Sequence, residues 1–302
     1  MPLSTSMQAD HNCRRREIAL ITADIGWGSA SKAAERAPQA LLDAGLAERL
    51  NAVIVRVPAN PKMSEVSPSY EAVEKIITEH ICQVADAVHQ AVHQGFFPVV
   101  IGGDHTSAVG FHAGLGRAYG RLGIIWVDTH PDLNTVSTSP SGRIHGMVLA
   151  ALLGRGSEVM LEAAQSCLTK DQQVAMIGIR DIDQGELKWI EEGNINCMTM
   201  NDVREDGLHE SFIRAVKTAC HQTDGFGLTV DLDAIDPVEA PFVSTPVKGG
   251  IKVNELLNEL SELSANRRLK GLEVAECTPR SVEDNDPACD LVYRIINAVT
   301  ST

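Results

Sequence analysis

The 302-residue chain predicts one α/β domain: a mostly parallel, eight-stranded sheet with helices on both faces. Three observations carry that expectation. Short apolar runs alternate with longer stretches of helical periodicity along the whole chain. Several runs are apolar on both faces, such as Val99-Val100-Ile101 and Ile124-Ile125-Trp126-Val127, as strands covered on both sides must be. No internal repeat or linker-like change of composition divides the chain, so residues 16–302 read as one domain behind a polar, flexible tail at 1–15.

The elements follow in order. Residues 17–24 read as the first strand and 33–50 as a helix with Ala37, Leu41, Leu42 and Leu46 on its apolar side. A second strand at 52–57 precedes a Pro/Ser-rich loop at 58–68. Residues 69–94 are the clearest helix: Val73, Ile76, Ile77, Ile81, Val84, Ala85 and Val88 keep helical spacing, and Gly95 ends it. The third strand is 96–101, followed by a helix starting near Thr106. The fourth strand is 122–128, followed by a Ser/Thr/Pro loop at 134–143 and a helix at 145–153. Strands at 173–179 and 196–200, a helix at 208–221 and a strand at 226–231 come next. A helix at 254–264, a last strand at 271–274 and a helix at 287–299 complete the chain.

Composition excludes some roles. The net charge of −14 argues against nucleic acid and against an acidic membrane surface. No apolar run approaches the ~18 residues of a membrane span. The seven cysteines form no CxxC pair, and Cys82, Cys197 and Cys220 sit in apolar or helical stretches. They read as reduced core thiols in a cytoplasmic protein. The polar N-terminus lacks the apolar stretch of a secretory signal.

Chemistry gathers at the strand ends. One apolar run leads into Asp104-His105, another into Asp128-Thr129-His130-Pro131-Asp132, a third into Asp231-Leu232-Asp233. Parallel sheets bind ligands beyond the carboxyl ends of their strands. So much buried negative charge in one place requires cations, and two divalent metals would neutralise it. On extended backbone Asp128, His130 and Asp132 share a face, as do Asp231 and Asp233. Carboxylate with imidazole suits Mn, Fe, Co or Zn, and the lack of Cys argues against structural zinc. A water between two such ions becomes a nucleophile near neutral pH.

GGDHT, DTHPDLNT, SGRIHG, VDLDAIDP and GLEVAE, in this order, resemble the ureohydrolase family, the arginases most closely. The resemblance spans residues 18–299. It implies an arginase-like three-layer fold, two Mn²⁺ per subunit, a small guanidino amino acid as partner, and a homotrimer or homohexamer. It implies His105, Asp128, His130, Asp132, Asp231 and Asp233 as metal ligands. Asp128 and Asp231 would bridge, His105 and Asp132 would complete one coordination sphere, and His130 and Asp233 the other. Asp132 would also hold the bridging hydroxide.

By the same resemblance His145 protonates the leaving amine, and Glu276 pairs with the substrate guanidinium; Glu273 lies in that segment but out of register. Asn134, Thr135 and Ser141 would hold an α-carboxylate, Asp183 an α-amino group, and Thr245 would stand near the guanidinium. These matches favour L-arginine, hydrolysed to L-ornithine and urea. The chain also departs from the pattern. Arg143 stands where arginases usually have Asn: it can strengthen carboxylate binding, suit another acidic substrate or face solvent. Thr106, Thr129 and Pro131 differ too, and the loop at 24–36 lacks the usual arginine-plus-glycine pattern. The alternative substrate is therefore another guanidino or formimino compound, such as a guanidino acid, agmatine or formimidoylglutamate.

Overall fold

The computed structural model describes residues 16–30, 32–58, 68–167 and 169–301. Its eight strands are β1 (Ile18–Ala23), β2 (Val53–Arg56), β3 (Phe97–Gly102), β4 (Gly123–Val127), β5 (Val174–Ile179), β6 (Asn196–Thr199), β7 (Phe226–Asp231) and β8 (Leu269–Ala275). They form one sheet in the order β2-β1-β3-β8-β7-β4-β5-β6, and every neighbouring pair runs parallel. The tail expected at 1–15 lies outside the described residues, as does all of the expected loop at 58–68 except its two end prolines.

The period of two along each strand sends alternate side chains to opposite faces. Ile18, Leu20, Val99, Ile101, Ile125 and Val127 face one helical layer. That layer contains α1 (Ala37–Asp43), α2 (Leu46–Leu50), α9 (Leu208–Ala219), α10 (Val253–Leu263) and α11 (Asn285–Thr300). Ala19, Ile21, Val100, Ile124 and Trp126 face the other layer. There lie α3 (Tyr70–His93), α4 (Ser107–Tyr119), α5 (Val148–Leu152) and α6 (Glu158–Ala164). Ser69 caps α3 by accepting from the Ala72 N–H, and the helix buries Ile77, Ile81, Val84 and Val88. It packs closely on α4 because Gly110 and Gly114 leave room: a Cβ at either would meet a valine of α3 at 2.6–2.7 Å.

Local differences from the sequence reading have identifiable causes. The helix expected over 33–50 is broken into a 3₁₀ turn, α1 and α2, because Gly45 takes a left-handed conformation (φ 87°). Three short helices escaped periodicity: α6, α7 (Gln184–Gly193) and α8 (Met200–Asp206). Cys82 is exposed, and Cys197 and Cys220 are only half-buried; among the described residues the buried thiols are Cys277 and Cys289. Among the described residues no helix is long and apolar enough to cross a membrane.

The strand order fixes where a site can form. The chain lays β4, β5 and β6 outward, then returns to insert β7 and β8 between β4 and β3. Such reversals open a crevice at the carboxyl ends of the strands. Here the crevice lies over β3, β8, β7 and β4, whose ends lead into His105, Glu276, Asp231 and Asp128.

Candidate active site

Two groups of potential ligands share Asp128. His105, Asp128 and Asp132 form one; Asp128, His130 and Asp233 form the other. His105 Nδ1 lies 3.2 Å from Asp128 Oδ2, 3.0 Å from Asp132 Oδ2 and 3.2 Å from Asp231 Oδ2. Although His105 is buried, neither of its ring nitrogens has a hydrogen-bond partner among the described residues. His130 Nδ1 lies 3.2 Å from Asp233 Oδ2 and 3.7 Å from Asp128 Oδ1. Asp128 thus offers a different oxygen to each group. Asp231 stands with the first group through Oδ2, while its Oδ1 accepts the Asp233 N–H at 2.8 Å.

The fold aims these side chains. Trp126 Nε1–H donates to Asp128 Oδ2 at 2.9 Å, and the indole stacks on the His105 ring with centroids 4.4 Å apart. The Thr129 N–H and the Thr245 hydroxyl donate to the two oxygens of Asp233. The Arg180 guanidinium donates to the carbonyls of Gly178, Asp233, Ala234 and Val247, tying the end of β5 to the segment after β7. Asp132 and Glu276 both hold left-handed backbone conformations, with φ of 52° and 59°. Non-glycine residues are uncommon there and such strain clusters at functional sites.

A cavity of about 150 Å³ opens over the two groups. His145 and Glu276 line it, and His145 Nδ1 bonds Glu276 Oε1 at 2.9 Å. Asn134, Ser141, Arg143, Asp183 and Thr245 also line it. Asn134 Nδ2 is engaged with Asp183 Oδ2 at 2.8 Å, so these two hold each other. Thr135 does not reach the cavity; its hydroxyl pairs with Ser137 and Thr138. Arg143 is exposed on the rim.

The electrostatics ask for positive charge. Burial opposes ionisation of His105 and His130, yet the adjoining carboxylates raise both well above the ordinary imidazole value. Burial likewise opposes the Asp128 carboxylate, and the two imidazoles hold it low. Burial together with Asp128 pushes Asp132 up to about 6. His145 is disfavoured as a cation by burial but raised to about 9 by Glu276, which His145 in turn holds below its usual range.

Two further residues of the site, Glu186 and Asp181, and the place of Glu273 are not marked as functional by the sequence. Glu186 lines the cavity and accepts from the Asp183 and Leu133 N–H groups. The pattern Asp183-x-x-Glu186 is a readable capping signal at the start of α7. Asp181 lines the rim 3.7 Å from His130 Nε2. Glu273, buried on β8, lies behind His105 with 3.8 Å between Oε2 and Nε2. Its segment reads as an apolar strand, and only the β3–β8 pairing reveals its place.

A parallel sheet with this site at its central strand ends defines a class of metal-dependent hydrolase, and comparisons with known proteins agree. The arginase family model matches residues 16–299. The Bacillus caldovelox arginase is 35% identical over 282 residues, covering 90% of this chain and 94% of that protein. Its solved structure superposes with a TM-score of 0.86 at 33% identity, over 95% of this chain and 99% of that one. The Entamoeba histolytica arginase, solved with L-ornithine, gives a TM-score of 0.87 at 26% identity, over 96% and 100% of the two chains. The chain belongs to the arginase family and is a hydrolase of that family.

Proposed function

We propose that this chain hydrolyses L-arginine to L-ornithine and urea with two Mn²⁺ per subunit. The observation that carries the reading is the pair of imidazole–carboxylate groups sharing Asp128 beneath a cavity that holds Glu276 and His145. The donors are hard oxygens with one imidazole per group, a set that suits Mn²⁺. His105 nitrogens that are buried yet have no hydrogen-bond partner among the described residues fit a cation ligand. His105, Asp128, Asp132 and Asp231 would hold one ion, and Asp128, His130 and Asp233 the other. Bound there, the metals supply Lewis acidity that makes water a nucleophile near neutral pH.

The rest of the work falls to the chain. Glu276, held as a carboxylate by His145, accepts two N–H groups of the planar guanidinium and fixes its carbon over the metal groups. Water adds to that carbon, its bond to Nε breaks with the electron pair leaving on Nε, and His145 gives the departing nitrogen its proton. The Glu276 carboxylate, 2.9 Å from Nδ1, favours the protonated form of His145, as a donor requires. At the rim, Asp181 and Asp183 face an ammonium, and Ser141 and Arg143 face a carboxylate. The relative from Entamoeba histolytica was solved with L-ornithine, the product proposed here. We further propose a homotrimer or homohexamer in the cytoplasm, which sedimentation of the purified protein reads.

The test is urea release after preincubation with Mn²⁺, with L-arginine beside agmatine and guanidino acids, and formamide release for formimidoylglutamate. Urea from L-arginine that disappears with chelator is expected. Two Mn²⁺ bound but no urea from L-arginine overturns the substrate assignment and turns attention to Arg143.

A further inference from the structure

The loop after β1, which departs from the family pattern in sequence, reaches the site through its main chain. The Gly28 N–H donates to Asp104 Oδ2 at 2.6 Å, and the Gly28 carbonyl accepts from the His145 N–H at 3.3 Å. Asp104 is fully buried and does not line the cavity. Its other oxygen accepts from the Thr106 N–H and hydroxyl, so both oxygens are committed to holding neighbours. The next residue donates its N–H to Glu276 Oε1 at 2.9 Å, and the Glu276 N–H donates to the Gly103 carbonyl at 2.9 Å. With the His145–Glu276 bond, the circuit closes: Gly28, Asp104, His105, Glu276, His145 and back to Gly28.

We propose that the Gly28 peptide, anchored by Asp104, is the positioning element that holds His145 against Glu276. The inference rests on the proton-donor role of His145 given above. Position 28 is crowded enough that any side chain must push on its neighbours. A Cβ there would lie 2.6 Å from Thr106 Cγ2 and 3.1 Å from both Asp104 Oδ2 and the His145 nitrogen, the last two being parts of the circuit. Asp104 is equally constrained. Each of its oxygens accepts an N–H, so either orientation of an asparagine amide would set donor against donor. His145 stands at the start of the 3₁₀ turn Ile144–Met147, after the exposed residues 141–143, so this main-chain bond ties the rim loop to the sheet.

Displacing a reacting group by about 1 Å costs roughly 10²-fold in rate. Gly28→Ala and Asp104→Asn, made in the full Mn²⁺-loaded chain, should each lower kcat for urea release by about 10- to 100-fold. KM should stay within about threefold and the Mn²⁺ stoichiometry should be unchanged, since no ligand moves. Hydrogen exchange of the peptide carrying His145, read by mass spectrometry, should be slow in the wild type and fast in both variants. A wild-type kcat in both variants overturns the proposal. So does Mn²⁺ loss in step with kcat, which marks general damage to the site. The exchange measurement needs neither activity nor a folded variant. Fast exchange at His145 in the wild type overturns the proposal even if every variant misfolds, and it does so whether or not L-arginine is the substrate.

Discussion

His80 and His112 of the helical layer and His105 at the strand ends are equally buried, with His130 beside it only partly so, yet the two regions differ in charge. On α3 and α4, burial pushes His80 down to about 4 and His112 to about 3. His112 meets the neutral hydroxyl of Thr229 at 3.0 Å, a partner that suits an uncharged ring. At the strand ends burial opposes His105 and His130 in the same way, but carboxylates face them and raise both. The two regions meet across Trp126, which stacks on His105 at 4.4 Å and on His112 at 6.3 Å between ring centroids. Burial alone therefore does not distinguish core from site; the charges facing a buried group do.

The largest way to break this comparison is at the carboxylates. Glu276→Gln keeps the shape but removes the charge that grips a guanidinium and holds His145 protonated. Turnover should fall roughly 10²-fold, and urea assays finding wild-type turnover would mean the substrate is oriented by something else.

Removing metal comes next. Chelation should leave the strand-end charges uncompensated and lower the melting temperature. Mn²⁺ at a hundred times its dissociation constant should restore about 2.7 kcal/mol for each ion bound. A calorimetric trace indifferent to Mn²⁺ would deny that these carboxylates form a cation site.

The pH response should separate the two histidine classes in the chelated protein. His80 and His112 have folded values below the unfolded 6.5, so the unfolded chain binds more protons between them. Their contribution is complete above pH 6.5 and is lost as pH falls towards 4 and 3, at up to ~1.4 kcal/mol per pH unit for each group. His145 runs the other way: raised to about 9, it stabilises fully below pH 6.5 and the effect is lost as pH rises through 9. Denaturant midpoints across pH should fall on both sides, and His145→Gln should shrink the alkaline fall, which the raised His105 and His130 share, while leaving the acid side unchanged. Last and smallest, His209 is exposed beside Glu259, and His209→Ala should leave the melting temperature unchanged.

Much of the site was legible because its residues follow apolar runs. Asp104-His105, Asp128 to Asp132 and Asp231 to Asp233 announce strand ends, and parallel topology then brings those ends together. What stayed hidden depends on pairing between distant strands or on main-chain contacts. Glu273 gains meaning only when β8 lies beside β3. Gly28 acts through its peptide, which no side-chain pattern reports. Thr135 sits beside Asn134 in sequence, but the turn that bonds it to Ser137 and Thr138 takes it away from the cavity. In the fold, long helices such as α3 announced themselves, whereas α6 and α8, at seven residues each, are too short to establish a period.

The left-handed backbone at Asp132 and Glu276 bears on how this chain can be engineered. Each such residue stores about 1 kcal/mol or more of conformational energy that glycine would release. A library selected for heat resistance alone would be drawn to glycine at both positions. It would thereby enrich sturdier proteins stripped of the two carboxylates that face the metal groups and the substrate. Any thermostabilising campaign on this scaffold should screen turnover alongside melting at every round, because part of the strain it could release is stored at the reacting centre.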